Sequence, residues 1–80
     1  MISSTKISYA IAKAGEVELC VYNISGQLVR TLEKGCHQPG YYNVKWDGRD
    51  DTGKRVAAGI YIYRLKTEAF VSIKKMAVIK

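Results

Sequence analysis

Histidine and proline each occur once in this 80-residue chain, cysteine twice, and no long apolar run is present. Each scarcity removes a class of protein. Two thiols, Cys20 and Cys36, with the lone imidazole of His37 make an incomplete and badly spaced zinc set, so neither metal nor cofactor is expected. The serines (Ser3, Ser4, Ser8, Ser25, Ser72) have no histidine at a recognisable spacing. Glu16 and Glu18 share one strand face with no acidic partner suggested across a cleft. No glycine run leads into a helix that would cradle phosphate. An enzyme made of this chain alone is not expected.

The apolar runs fall well short of the roughly 20 residues a membrane-spanning helix needs, so no membrane insertion is expected. Residues 1–6 hold no charged stretch followed by an apolar one, and no signal peptide is expected there. If Ser25 and Gly26 close a two-residue hairpin, Cys20 falls opposite Thr31. Cys36 is then several residues away along the ladder, too far for the Cα spacing of a disulfide, and both thiols are expected to be free.

What is present is ordinary for a globular chain: 48% apolar and 25% charged residues. Residues 1–80 are expected to form one domain with a small core and a modest stability margin. The net charge of +6 raises the question of a nucleic-acid surface. Lys6, Lys45, Arg64 and Lys66 each alternate with apolar neighbours, as the solvent face of a strand would, and cations there discourage edge-to-edge pairing. That reading is preferred, and no nucleic-acid partner is expected.

Period-two alternation runs through the chain. Ile7, Tyr9 and Ile11 share a face over residues 5–11; Val17, Leu19 and Val21 do so over residues 16–23. A strand over residues 27–32 follows the turn, its inward face ambiguous because Leu28 and Val29 are adjacent. Residues 33–40 are expected to be a loop, and residues 41–46 resume the alternation with Tyr42, Val44 and Trp46. Residues 56–58 are expected to form a small edge strand, and Tyr61, Tyr63 and Leu65 point inward on the next. After a turn at Thr67 and Glu68, the last strand over residues 69–79 changes phase between Val71/Ile73 and Met76/Val78. A bulge near Lys74 and Lys75 would reconcile the two halves. Six or seven short strands without helical period predict an antiparallel β-sandwich.

The rest is organised around a structural motif of Trp46, Asp47, Gly48, Gly53, Gly59 and Tyr61. Asp47, Asp50 and Asp51 invite a calcium reading, but they lack EF-hand spacing, and Arg49, Lys54 and Arg55 oppose a cation. The expected role is capping of local amides, with Gly48 and Gly53 at positive φ. Tyr9, Tyr42, Trp46, Tyr61 and Tyr63 have inward parity and are expected in the core; Tyr22 and Tyr41 have outward parity and are the candidates for a contact surface.

Three segments together resemble the FlgD-type immunoglobulin-like domain: residues 17–32, residues 40–53 with their Trp46-Asp47-Gly48-Arg49-Asp50-Asp51 run, and residues 56–65 with Gly59-Ile60-Tyr61. With the closing Lys74–Lys80 segment, the chain is also similar to the C-terminal sorting domain of substrates of the type IX (Por) secretion system. The resemblance implies an immunoglobulin-like sandwich, an extracytoplasmic location (secreted or cell surface) and a non-catalytic role. It implies a C-terminal sorting or attachment module of a larger secreted bacterial protein. Lys74, Lys75, Met76 and Lys80 would be the sorting end. Partners would be proteins, either the translocation machinery or neighbouring domains. The alternatives are a structural module of a flagellar hook cap or other extracellular assembly, and a carbohydrate-binding accessory domain using Tyr22 and Tyr41.

Overall fold

Strands that alternate apolar and polar residues bury one face only by stacking against a second sheet. A computed structural model describes residues 5–79 and shows that arrangement. Its strands are β1 (Thr5–Ile11), β2 (Gly15–Asn23), β3 (Leu28–His37), β4 (Gly40–Trp46), β5 (Gly59–Thr67) and β6 (Val71–Val78). β1 pairs with β4, and the other sheet runs β3-β2-β5-β6, with every pairing antiparallel. The fold is the expected immunoglobulin-like antiparallel β-sandwich.

The core forms where the inner faces meet. Ile7 and Ile11 of β1 pack on Val17 and Leu19 of β2 and Leu65 of β5, with Tyr9, Tyr42, Val44 and Tyr63 at the fringe. A second cluster joins Val21, Trp46, Tyr61 and Val78. Each such side chain, once buried, contributes about 1.5–3 kcal/mol through apolar surface removed from water. The inward parity read for the tyrosines and Trp46 is therefore where the packing lies.

β3 differs from expectation by continuing to His37 through residues read as loop. Its polar half, with Glu33 and Lys34, carries little strand signal of its own. Its backbone pairs with β2 from Leu19↔Glu33 to Gly15↔His37, which satisfies groups that β2 would otherwise leave open on that side. The turn before β3 also differs. Asn23 N donates to Gln27 O and Gly26 N to Asn23 O, both at 3.0 Å, so three residues close the hairpin, with Gly26 at φ 87°. A bulge between Val21 and Tyr22 then skips Val29, and Cys20 still falls opposite Thr31. A second bulge between Leu19 and Cys20 skips Leu32. Both skipped residues pack against the core, which is the gain from breaking the ladder there. Leu28 is left outward, resolving the ambiguity at the start of the strand. Cys20 and Cys36 are free thiols, Cys36 on a strand rather than in a loop.

The bulge expected near Lys74 and Lys75 does not form. β5 and β6 pair without a slip from Gly59↔Val78 to Lys66↔Val71. Val78 is buried and Met76 half-buried, while Val71 and Ile73 remain 54% and 63% exposed. An unbroken ladder keeps every rung to β5, and two apolar residues are left in water as a result. Ile73→Thr is therefore expected to change stability by no more than about 0.5 kcal/mol. Val78→Ala, losing two buried methyl groups, should cost about 1.5 kcal/mol. Urea melts of the two variants giving the reverse order would restore the bulged register.

No strand forms over residues 56–58. An isolated bridge, Arg49↔Arg55, falls just before this segment, and Val56 N donates to Gly48 O at 2.9 Å.

Candidate functional site

Trp46 ends β4 with its side chain 1% exposed, its ring edge-on to Tyr61 at 5.4 Å. A buried indole N–H needs an acceptor, and Arg49 O supplies it at 2.9 Å. The loop must therefore turn back over the tryptophan. Gly48, buried and at φ 77°, makes that turn where a side chain would strain the backbone. Arg30 reaches from β3 to the same Arg49 carbonyl (3.2 Å) and to Asp47 (3.5 Å). Beyond the loop, Tyr61 donates its hydroxyl proton to Ala57 O at 2.7 Å.

The three loop carboxylates are engaged by the chain itself: Asp47 and Asp50 cap local amides as expected, while Asp51 bonds to a strand instead. Asp47 Oδ1 accepts from Arg49 N at 3.1 Å. Asp50 Oδ1 accepts from the Thr52 hydroxyl (2.6 Å) and from the amides of Thr52 and Lys54 (3.0 Å each). Asp51 docks the loop on the outer edge of β3: its amide donates to Val29 O at 3.0 Å, and its carboxylate accepts from Thr31 N at 3.1 Å. These bonds occupy the edge of β3 at that point. β6, at the other edge of the same sheet, pairs only with β5 among the described strands.

The Thr52 hydroxyl bond is the main influence holding the Asp50 carboxyl below its ordinary value of 3.8, reinforced by the two amides and the Lys54 charge against some desolvation. A depressed carboxyl favours the fold above the unfolded pKa, and that contribution is lost as pH falls through the lower folded value. Melting temperature is expected to fall more steeply in wild type than in Asp50→Asn as pH drops from 5 towards 2. Asparagine keeps an acceptor for the amides but has no proton to gain in that range. Parallel curves for the two proteins would detach the loop from acid stability.

At the opposite end Tyr9 and Tyr42 stack at 5.4 Å, and His37 meets Tyr42 edge-on at 4.9 Å. His37 Nδ1 lies 3.2 Å from Gly35 O, with Nε2 3.5 Å from the Tyr9 hydroxyl and 3.8 Å from Glu33. Burial, then the Glu33 charge, pushes the Tyr9 hydroxyl up. This cluster joins the two sheets through β3, β1 and β4. Sequence reasoning missed it because His37 was read into a loop. Beside it, the Glu68 carboxylate lies against Gly15 and accepts from Glu16 N at 3.3 Å, tying the β1–β2 and β5–β6 turns together.

The two outward tyrosines do not share a surface. Tyr41 is 91% exposed on the β1–β4 sheet. Tyr22 is half-buried on the outer side of the other sheet, with the Arg64 guanidinium 5.3 Å from its ring centre. Lys74, Lys75 and Met76 lie on β6, and Gly59 opens β5 opposite Val78. Lys80, like Ser3 and Ser4, falls outside the described residues.

A search of curated proteins returned no match. Among solved structures the chain is similar to FlgD from P. aeruginosa, with a TM-score of 0.72 and 22% sequence identity. The likeness covers 95% of this chain and 58% of that one, so this chain spans little more than half of the solved protein. The likeness in fold therefore includes the final strand. The family model for the FlgD Ig-like domain matches residues 3–69, which takes in the Trp46 loop, its docking partners on β3 and all of β5. The loop that roofs the tryptophan and strands β1 to β5 of the sandwich come from the same matched stretch, and the chain belongs to the FlgD Ig-like domain family.

Proposed function

We propose that this domain is a non-catalytic structural module of an extracellular assembly of the flagellar hook-cap kind. The family match over residues 3–69 is the observation that carries this reading. The loop geometry is consistent with it: Asp47, Asp50, Asp51, Arg30 and the Trp46 N–H all bond within the chain, leaving a stiff body suited to bearing contacts. The module works by presenting surfaces to neighbouring proteins outside the cytoplasm. Co-sedimentation of the purified chain with assembled hook filaments tests this. Retention in the pellet supports the reading, and a chain left wholly in the supernatant counts against it.

A second reading, the C-terminal sorting module, is favoured by one observation: β6 is an edge strand, and its outer side pairs with no strand among the described residues. A periplasmic reporter fused to residues 1–80 in a host with type IX secretion should then be exported, and export should stop when residues 74–80 are deleted. Retention of the intact fusion removes this reading and leaves the first untouched.

A further inference from the structure

On the outer face of the four-stranded sheet, register sets Leu28 opposite Tyr22, Tyr22 opposite Ile62 and Ile62 opposite Lys75. Ile60 and Ile73 lie on the same side, on β5 and β6. Leu28, Ile60 and Ile73 are 54%, 46% and 63% exposed. Single exposed apolar residues are ordinary on a protein surface, but a contiguous group across four strands marks a contact surface. Towards the other end of this face stand Arg64, Lys66 and Lys34, with Glu16 and Glu18 as the acids among them. Glu18 is already paired with Arg64 at 3.5 Å. Arg64 Nε is buried without a hydrogen-bond partner.

We propose that this face docks a partner protein whose contact surface is apolar at its centre and acidic at its rim. Charge selects this occupant over a second copy of the chain. Stacking two such faces would oppose Lys34, Arg64, Lys66 and Lys75 of each copy with only Glu16 and Glu18 to meet them, so cations would outnumber carboxylates in the shared interface, and desolvating unpaired cations is costly. Carboxylates on a partner would neutralise Lys75 and Lys66, while its apolar centre covers Tyr22, Ile60, Ile62 and Ile73. The inference stands on this face alone and does not depend on which assembly the module serves.

The test uses two amphipathic helical peptides: one with a leucine face flanked by glutamates, the other with lysines in place of the glutamates. Each is titrated into the 80-residue chain while isoleucine methyl signals are followed by NMR. The glutamate peptide is expected to shift Ile60, Ile62 and Ile73 saturably and to bind more tightly than its lysine twin. Lys75→Glu, at an exposed position, should keep the melting temperature and weaken the glutamate peptide roughly two- to fivefold. Equal binding of the two peptides, binding of neither, or shifts confined to Ile7 and Ile11, away from this face, would overturn the proposal. So would sedimentation showing a concentration-dependent dimer that Ile73→Glu abolishes, which would assign the face to a second copy.

Discussion

Trp46→Ala is expected to remove about 3–5 kcal/mol of stability. A domain at the low end of the usual range, about 5 kcal/mol, would retain only about 0–2 kcal/mol, so a marked fall in melting temperature is expected. The size of the effect comes from three losses at one position. The indole is 1% exposed and fills the space between β4 and Tyr61, so truncation opens a cavity under the edge-on ring contact. The Arg49 carbonyl loses its 2.9 Å donor. The loop that this carbonyl anchors also docks on β3 through Asp51, so loosening one end releases the other. Trp46→Phe separates the contributions: it keeps most of the apolar volume and removes the N–H, with an expected cost of about 1–3 kcal/mol. Denaturant melts of both variants check this. A Trp46→Ala protein as stable as wild type would mean that the loop stands without its tryptophan.

Leu19→Ala is the second large effect, expected at about 2–5 kcal/mol. Leu19 is fully buried on β2, which pairs with β3 on one side and β5 on the other and faces the β1–β4 sheet. No edge is near enough to collapse into the space, so the cavity term should remain nearly whole. Cys20, the next residue, is the useful contrast. It is also buried, but it points to the outer side, beneath Tyr22 and Arg64, where side chains can shift into the gap. Cys20→Ala should therefore cost less than half as much as Leu19→Ala in the same urea melts. Equal losses would show that the outer layer is packed as firmly as the interior.

Much of the candidate site was legible in side-chain types. Asp and Gly residues after a tryptophan announce capped turns, and the carboxylates of Asp47 and Asp50 do accept from nearby backbone amides. The partners drawn from β3 were not legible. Arg30 and Thr31 reach the loop only because β2 holds β3 alongside it, and nothing within the loop encodes that neighbour. The Tyr9, His37 and Tyr42 cluster was hidden for the same reason, since His37 becomes a strand residue only through pairing with Gly15.

Residue alternation, a local property of covalent pleating, was enough to establish an all-β chain and the inward set of Ile7, Val17, Leu19, Val21, Trp46 and Tyr61. Strand order, the reach of β3 and the placement of both bulges were decided only by packing in three dimensions. In the β2–β3 ladder two breaks brought Val29 and Leu32 inside. In β6 the ladder stayed whole and left Val71 and Ile73 in water. Hydrogen-bond continuity and apolar burial compete at every such point, and the balance depends on which neighbouring strand is there to receive the side chain.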